Sequence, residues 1–220
     1  MKLNFFKLLL IMPLVVFSCK GKQGEVTEGD ITKSGDSTAM QTNLIFNPAD
    51  LPAEPIFDIE TNVGTIRIKL YKETPLHRDN FVKLASEGFY DGIRFHRVIH
   101  GFMIQTGDPL SKDVANESRF GTGGPGYTVP AEILPEFKHK KGAIAAARQG
   151  DAGNPERASS GSQFYIVEDA STCAQLDGAY SVFGETLEGF DIIDKIAAVS
   201  TNNRDKPIED IIIKSVKPVL

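Results

Sequence analysis

The chain has 220 residues, 41% hydrophobic and 24% charged, which suits one soluble domain of ordinary size with some length to spare. A net charge of −5, with no basic block beyond Lys138–Lys141, gives no support to nucleic-acid binding. Two cysteines, Cys19 and Cys173, exclude a disulfide framework, and no Cys/His spacing suits zinc.

The chain opens with a short basic region holding Lys2 and Lys7, then an apolar run, Leu8–Phe17, too short to span a bilayer. The run ends in Val16-Phe17-Ser18-Cys19, and a small residue directly before Cys resembles the lipobox of bacterial lipoproteins. That resemblance implies removal of residues 1–18 and a lipid on Cys19, tethering the protein to a membrane of the bacterial envelope on its periplasmic or surface side. Phe17 is bulky for a strict lipobox, and an ordinary cleaved signal peptide with a chance Cys is the alternative. Lys20–Gln41 is rich in Gly, Ser, Thr, Lys and Glu, with no apolar periodicity to offset its ordering entropy. Residues 19–54 are therefore expected to form a flexible tether, stiffened near its end by Pro48 and Pro52, and residues 55–220 the folded domain.

Within that domain Ile56–Glu60 and Thr65–Leu70 alternate apolar and polar around the turn signal at Asn62-Val63-Gly64, predicting a hairpin. Thr74-Pro75 reads as an N-cap followed by proline at the first helical position. Phe81, Leu84 and Ala85 form a helical stripe that Gly88 ends. Two further strands are expected in Phe95–Ile99 and Phe102–Ile104, either side of a turn at His100-Gly101. Residues 109–141 show little pattern. Gly121–Gly126 lacks the following Gly-Lys-Ser/Thr of a phosphate-binding loop and contains Pro125, so it reads as a structural loop. Strands are expected at Gly142–Ala147, Gly161–Val167 and Ser181–Thr186, a second short helix around Phe190, Ile193 and Ile196, and one long closing strand over Ile208–Val219. Many short strands with two separated helices predict an antiparallel barrel or sandwich.

Chemistry concentrates in Arg94–Asp108. Arg97, Phe102, Met103 and Gln105 bring a fixed cation, a ring, a thioether and an amide into one short stretch. Such a set can grip an apolar side chain while donating to the backbone beside it. The same pattern fits an Arg at a strand edge with its head in water. His77 and His139 are expected on solvated surfaces. His96 and His100, four apart in strand-like surroundings, are not read as a metal pair. Phe164 and Tyr165 must face opposite sides of a sheet, one toward the core and one toward a groove.

FHRVIHGFMIQTGD at 95–108, SSGSQFYIV at 159–167 and LDGAYSVFGE at 176–185, with Thr74-Pro75 and Asn80-Phe81 before them, together resemble cyclophilin-type peptidyl-prolyl isomerases. The resemblance covers about residues 56–219. It implies an eight-stranded antiparallel closed β-barrel capped by two α-helices, with a substrate groove on its outer surface. It implies catalytic roles for Arg97, Phe102 and Gln105, and substrate contacts from Met103, Ala147, Arg148, Gln163, Tyr165, Leu176 and Tyr180. No cofactor or metal is implied. The implied partners are proline-containing polypeptides bound by a monomer that assists folding, with a non-catalytic peptide-binding or chaperone module on the same barrel as the alternative. Arg148 departs from the family's Asn, Tyr165 from its usual Phe, and Gln175 and Tyr180 from the Trp and His of many eukaryotic members. The missing Trp implies weak cyclosporin binding. Gln149–Ser160 is a few residues longer than in compact members.

Overall fold

The structure, a computed structural model, describes residues 44–220; the signal segment, Cys19 and most of the expected tether lie outside the described residues. Its elements in chain order are β1 (Ile56–Thr61), β2 (Thr65–Leu70), α1 (Pro75–Ser86), β3 (Arg97–Ile99), β4 (Met103–Thr106), β5 (Thr128–Val129) and β6 (Ala143–Arg148). There follow β7 (Ser159–Val167), α2 (Ala170–Cys173), β8 (Val182–Glu188), α3 (Phe190–Ala197) and β9 (Ile213–Pro218). Every strand pairing is antiparallel, and eight strands run in the order β3-β4-β7-β6-β8-β2-β1-β9, with the short β5 paired to β7 off this path.

The sheet curls because one of its faces must enclose the large apolar side chains. Alternation on β1 and β2 buries Phe57, Ile59, Ile66 and Ile68 inside it, beside Phe81 and Leu84 of α1, Phe164 and Ile166 of β7, and Ile193 and Ile196 of α3. The hairpin register Ile59↔Ile66 sets that alternation. The two outermost strands of the path, β3 and β9, share no ladder. The sheet's ends meet instead at the single bridge Arg94↔Ile212, flanked by backbone bonds from Gly92 N to Ile213 O (2.8 Å) and Phe95 N to Ile211 O (2.9 Å).

Several expectations need correction. The closing strand begins at Ile213, not Ile208, because residues 208–212 spend their backbone groups on Ser200, Asn62 and the 93–95 segment. Thr74 and Pro75 open helix α1 at its N-cap and first helical position as expected, but Thr74 is fully buried and its side chain makes no capping bond. Glu132 caps the helix across 55 residues of sequence, accepting from the backbone N–H groups of Leu76 (3.0 Å) and His77 (2.9 Å). His77 is buried rather than solvated, its Nδ1 2.6 Å from Glu132 and its Nε2 2.9 Å from Ser159 Oγ. His139 is buried as well. Residues 44–54, assigned to the tether from composition, pack on the domain: Ile45 N–H donates to Ser86 O (2.7 Å) and the Phe46 ring lies 5.7 Å from Phe57.

Burial raises the Glu132 pKa, but the bonds from the His77 ring and the two N–H groups outweigh it and leave the carboxyl below its ordinary value of 4.5. A depressed carboxyl stabilises the fold above its unfolded pKa and loses that contribution as pH falls through the folded value. Glu132→Gln is expected to cost about 1–3 kcal/mol at neutral pH. In urea titrations, the gap between wild type and variant should narrow steadily below pH 4.5.

Candidate active site

The candidate site lies on the outer face of the sheet where β3, β4, β6 and β7 meet. β7 explains why there is a site at all. Its side chains are buried on both faces, Phe164 and Ile166 toward the main core and Tyr165 and Val167 toward a second apolar cluster holding Met103, Ala145, Cys173 and Val182. Leu176, Tyr180, Phe102 and Ala147 border this second cluster, only partly buried. Together they line a cavity of about 320 Å³ with His96, Arg97, Gln105, Phe120, Gly121, Arg148 and Arg204.

Nine of the ten site residues expected from sequence thus meet at one cavity. Gln163 is the exception. It is buried, and its amide is bonded within the protein: Nε2 donates to Gly121 O (3.1 Å) and Gly123 O (2.7 Å), while Oε1 accepts from Gln105 Nε2 (3.1 Å). It faces an adjoining cleft of about 680 Å³ whose walls include Gly121–Gly124 and Arg148–Gln149. Gln163 therefore holds Gln105 and the 121–123 loop in place. Gln105 keeps its own carbonyl free, among the described residues, to accept from an incoming backbone N–H.

Arg97 sits at the cavity edge with its side chain 43% exposed, its Nε 3.6 Å from the Asp205 carboxylate. The turn that carries Asp205 is fixed by Val98 N–H donating to Asp205 O (2.7 Å). Partial exposure keeps the desolvation cost of the guanidinium low, and among the described residues its donors make no hydrogen bond. Arg148 is different. Its side chain is 5% exposed and stacks 4.5 Å over the Tyr180 ring. It donates to Ala179 O (2.8 Å), Gln149 O (2.9 Å) and Asp151 (2.6 Å), so its charge is already used in bracing the 149–158 loop.

Phe120, Gly121 and Arg204 were not legible as site residues. Asp108 brings the first two in, its buried carboxylate accepting from Leu110 N (2.8 Å) and from Gly121 N. The Asp at the end of TGD was the available signal. Gly107 before it lets β7 approach closely, since a Cβ there would lie 2.1 Å from Ser162 O. Among the described residues no group of three or more His, Cys, Asp or Glu could hold a metal ion.

A strand-built pocket for one small ring, rimmed by an arginine and a glutamine, fits the comparisons with known proteins. Residues 56–218 match the family described as cyclophilin type peptidyl-prolyl cis-trans isomerase/CLD. The chain belongs to that family. It is 34% identical to peptidyl-prolyl cis-trans isomerase-like 1 of Mus musculus, over 78% of this chain and 96% of the relative. It is 42% identical to the peptidyl-prolyl cis-trans isomerase of Helicobacter pylori, over 63% of this chain and 77% of the relative. A cyclophilin type isomerase from Cryptosporidium parvum, solved in the presence of the dipeptide Ala-Pro, superposes with a TM-score of 0.65 at 30% identity, covering 75% of this chain and 99% of that one. As in other cyclophilins, the activity is peptidyl-prolyl cis-trans isomerisation.

Burial lowers the His96 pKa to about 4, against Asp108, which raises it, and with Arg97, which lowers it further. This cyclophilin's His96 is therefore neutral at the cavity wall across the physiological range. Imidazole ¹⁵N spectra should show no protonation of His96 between pH 7 and 5, where an exposed histidine would titrate at about 6.5.

Proposed function

We propose that Arg97, Phe102 and Gln105 carry the isomerisation. The observation behind this reading is a half-exposed guanidinium at the rim of an apolar ring-sized cavity, with no hydrogen-bond partner for it among the described residues. Rotation about X–Pro faces a barrier of about 18–20 kcal/mol because the amide nitrogen shares its lone pair with the carbonyl. At the twisted transition state that sharing is lost, and the pyramidal nitrogen accepts a hydrogen bond. Arg97 donates to it there and not in either planar ground state, and such differential binding speeds the reaction. Phe102, Met103, Tyr165, Leu176 and Ala147 hold the pyrrolidine ring while the preceding carbonyl swings. Gln105 accepts from the substrate backbone. Arg148 and Tyr180 bound the cavity on the side toward the adjoining cleft, where neighbouring substrate residues lie. Proton transfer, a nucleophile and a cofactor have no part in this scheme.

The substrates in this reading are unfolded or flexible polypeptides of the bacterial envelope, met by a monomer held at a membrane through lipid on Cys19. Support comes from the sequence pattern Val16–Cys19 and the polar spacer after it. No helix among the described residues is long and apolar enough to cross a membrane. The same reading takes the curled sheet as a closed barrel, supported by the Arg94↔Ile212 bridge.

Arg97→Ala should lower kcat/KM for cis/trans exchange of a short Ala-Pro peptide on the order of 10²–10³-fold, with peptide binding retained. Two-dimensional exchange NMR and peptide titration read the two quantities separately. Equal loss of both would remove the transition-state role, and binding without exchange in the wild type would make the domain a peptide-binding module. In cells, Cys19→Ser should move the protein from the membrane to the soluble fraction; membrane retention by the variant would count against the lipid anchor.

A further inference from the structure

His139 lies outside the cavity but is bonded to two of its walls. Its side chain is fully buried. Nδ1 is 2.8 Å from Asp177 Oδ1, and the backbone N–H of His139 donates to the same oxygen at 2.9 Å. Nε2 is 2.9 Å from the hydroxyl of Tyr165. The imidazole and phenol planes differ by 10°, as suits a phenolic O–H in its ring plane meeting an imidazole lone pair in its own. An ionised Asp177 only accepts, so the proton on the neutral ring is at Nδ1, Nε2 carries the lone pair, and the Tyr165 hydroxyl must be the donor. Burial, opposed by Asp177, lowers the His139 pKa, and burial raises that of Tyr165, so both groups stay in the forms this bonding needs.

The two anchored groups join neighbouring parts of the cavity wall. Tyr165 is on β7. Asp177 directly follows Leu176 and opens the turn that delivers Tyr180, whose ring meets Tyr165 edge-on at 6.0 Å. We propose that His139 is a positioning residue that fixes one wall of the ring-binding cavity by tying Tyr165 to the Leu176–Tyr180 turn. The proposal rests on the isomerase reading of that cavity. It also gives the tyrosine a reason: with phenylalanine at position 165, His139 Nε2 would be left buried and unpaired, and the ring would lose its hydrogen-bonded link to this turn, keeping only its packing on Tyr180.

The test is a double-mutant cycle on the full chain with His139→Phe, Tyr165→Phe and both together, reading kcat and KM for Ala-Pro peptide exchange. If the imidazole acts through the hydroxyl, each single variant raises KM roughly tenfold with a smaller change in kcat, and the double variant is no worse than either. Unchanged KM in His139→Phe, or effects that multiply in the double variant, would overturn the proposal. Should His139→Phe not fold, long-range ¹H–¹⁵N spectra of the wild type and of Tyr165→Phe decide the question. The proposal requires a neutral Nδ1–H tautomer whose Nε2 resonance moves in Tyr165→Phe; an Nε2–H tautomer or an unmoved resonance sinks it. Wild-type protein that fails to exchange the peptide would instead refute the isomerase reading, and the spectra would still judge the geometry.

Discussion

The structure depends on one strand that has no solvent face. β7 pairs with β4, β6 and β5 and buries side chains to both sides. A strand in this position cannot slip, because a one-residue shift would exchange Phe164 and Ile166 with Tyr165 and Val167 and place the wrong volumes on each face. The main core and the cavity are therefore two sides of one register. The side chains that fill the interior also hold Tyr165 and Met103 still on the exterior, and a rigid wall is what holding a small ring in one orientation requires.

Local pattern was enough to find the hairpin, both longer helices, β6, β7 and β8, and the facing of Phe164 against Tyr165. These are short-range consequences of alternation and helical spacing, and the motif stretches around Arg97, Gln163 and Leu176 placed the cavity. What escaped were contacts between distant segments. His77 and His139 look like surface histidines beside Arg78 and among lysines, and only Glu132 and Asp177, far along the chain, take them inside. Thr74 holds the N-cap position, yet the side-chain bonds to the first turn come from a carboxylate on a loop without periodicity. Residues 44–54 carry a tether's composition, but Phe46 and Leu51 pack against the core and the Ile45 backbone bonds to α1, and these seat the segment.

Arg97 and Arg148 illustrate how one residue type serves opposite ends. Arg148 is nearly enclosed, stacked and triply bonded, so its charge is neutralised and its plane forms a wall. Arg97 is left half in water with one distant carboxylate, so its donors remain available. Sequence shows two arginines near an apolar pocket; the division of labour between them comes from Asp151 and Ala179 on one side and the Asp205 turn on the other.

The cavity's position on the outer face of the curled sheet also decides what can reach it. Nothing has to be threaded, because the ring-sized pocket and the neighbouring cleft share Gln105, Gly121, Ala147 and Arg148 along one continuous surface. A proline in the middle of a long chain can therefore settle sideways into the wall while the chain on either side continues into solvent. Topologically the site is a berth rather than a tunnel, and the length of the polypeptide that ties up at it is irrelevant to whether it fits.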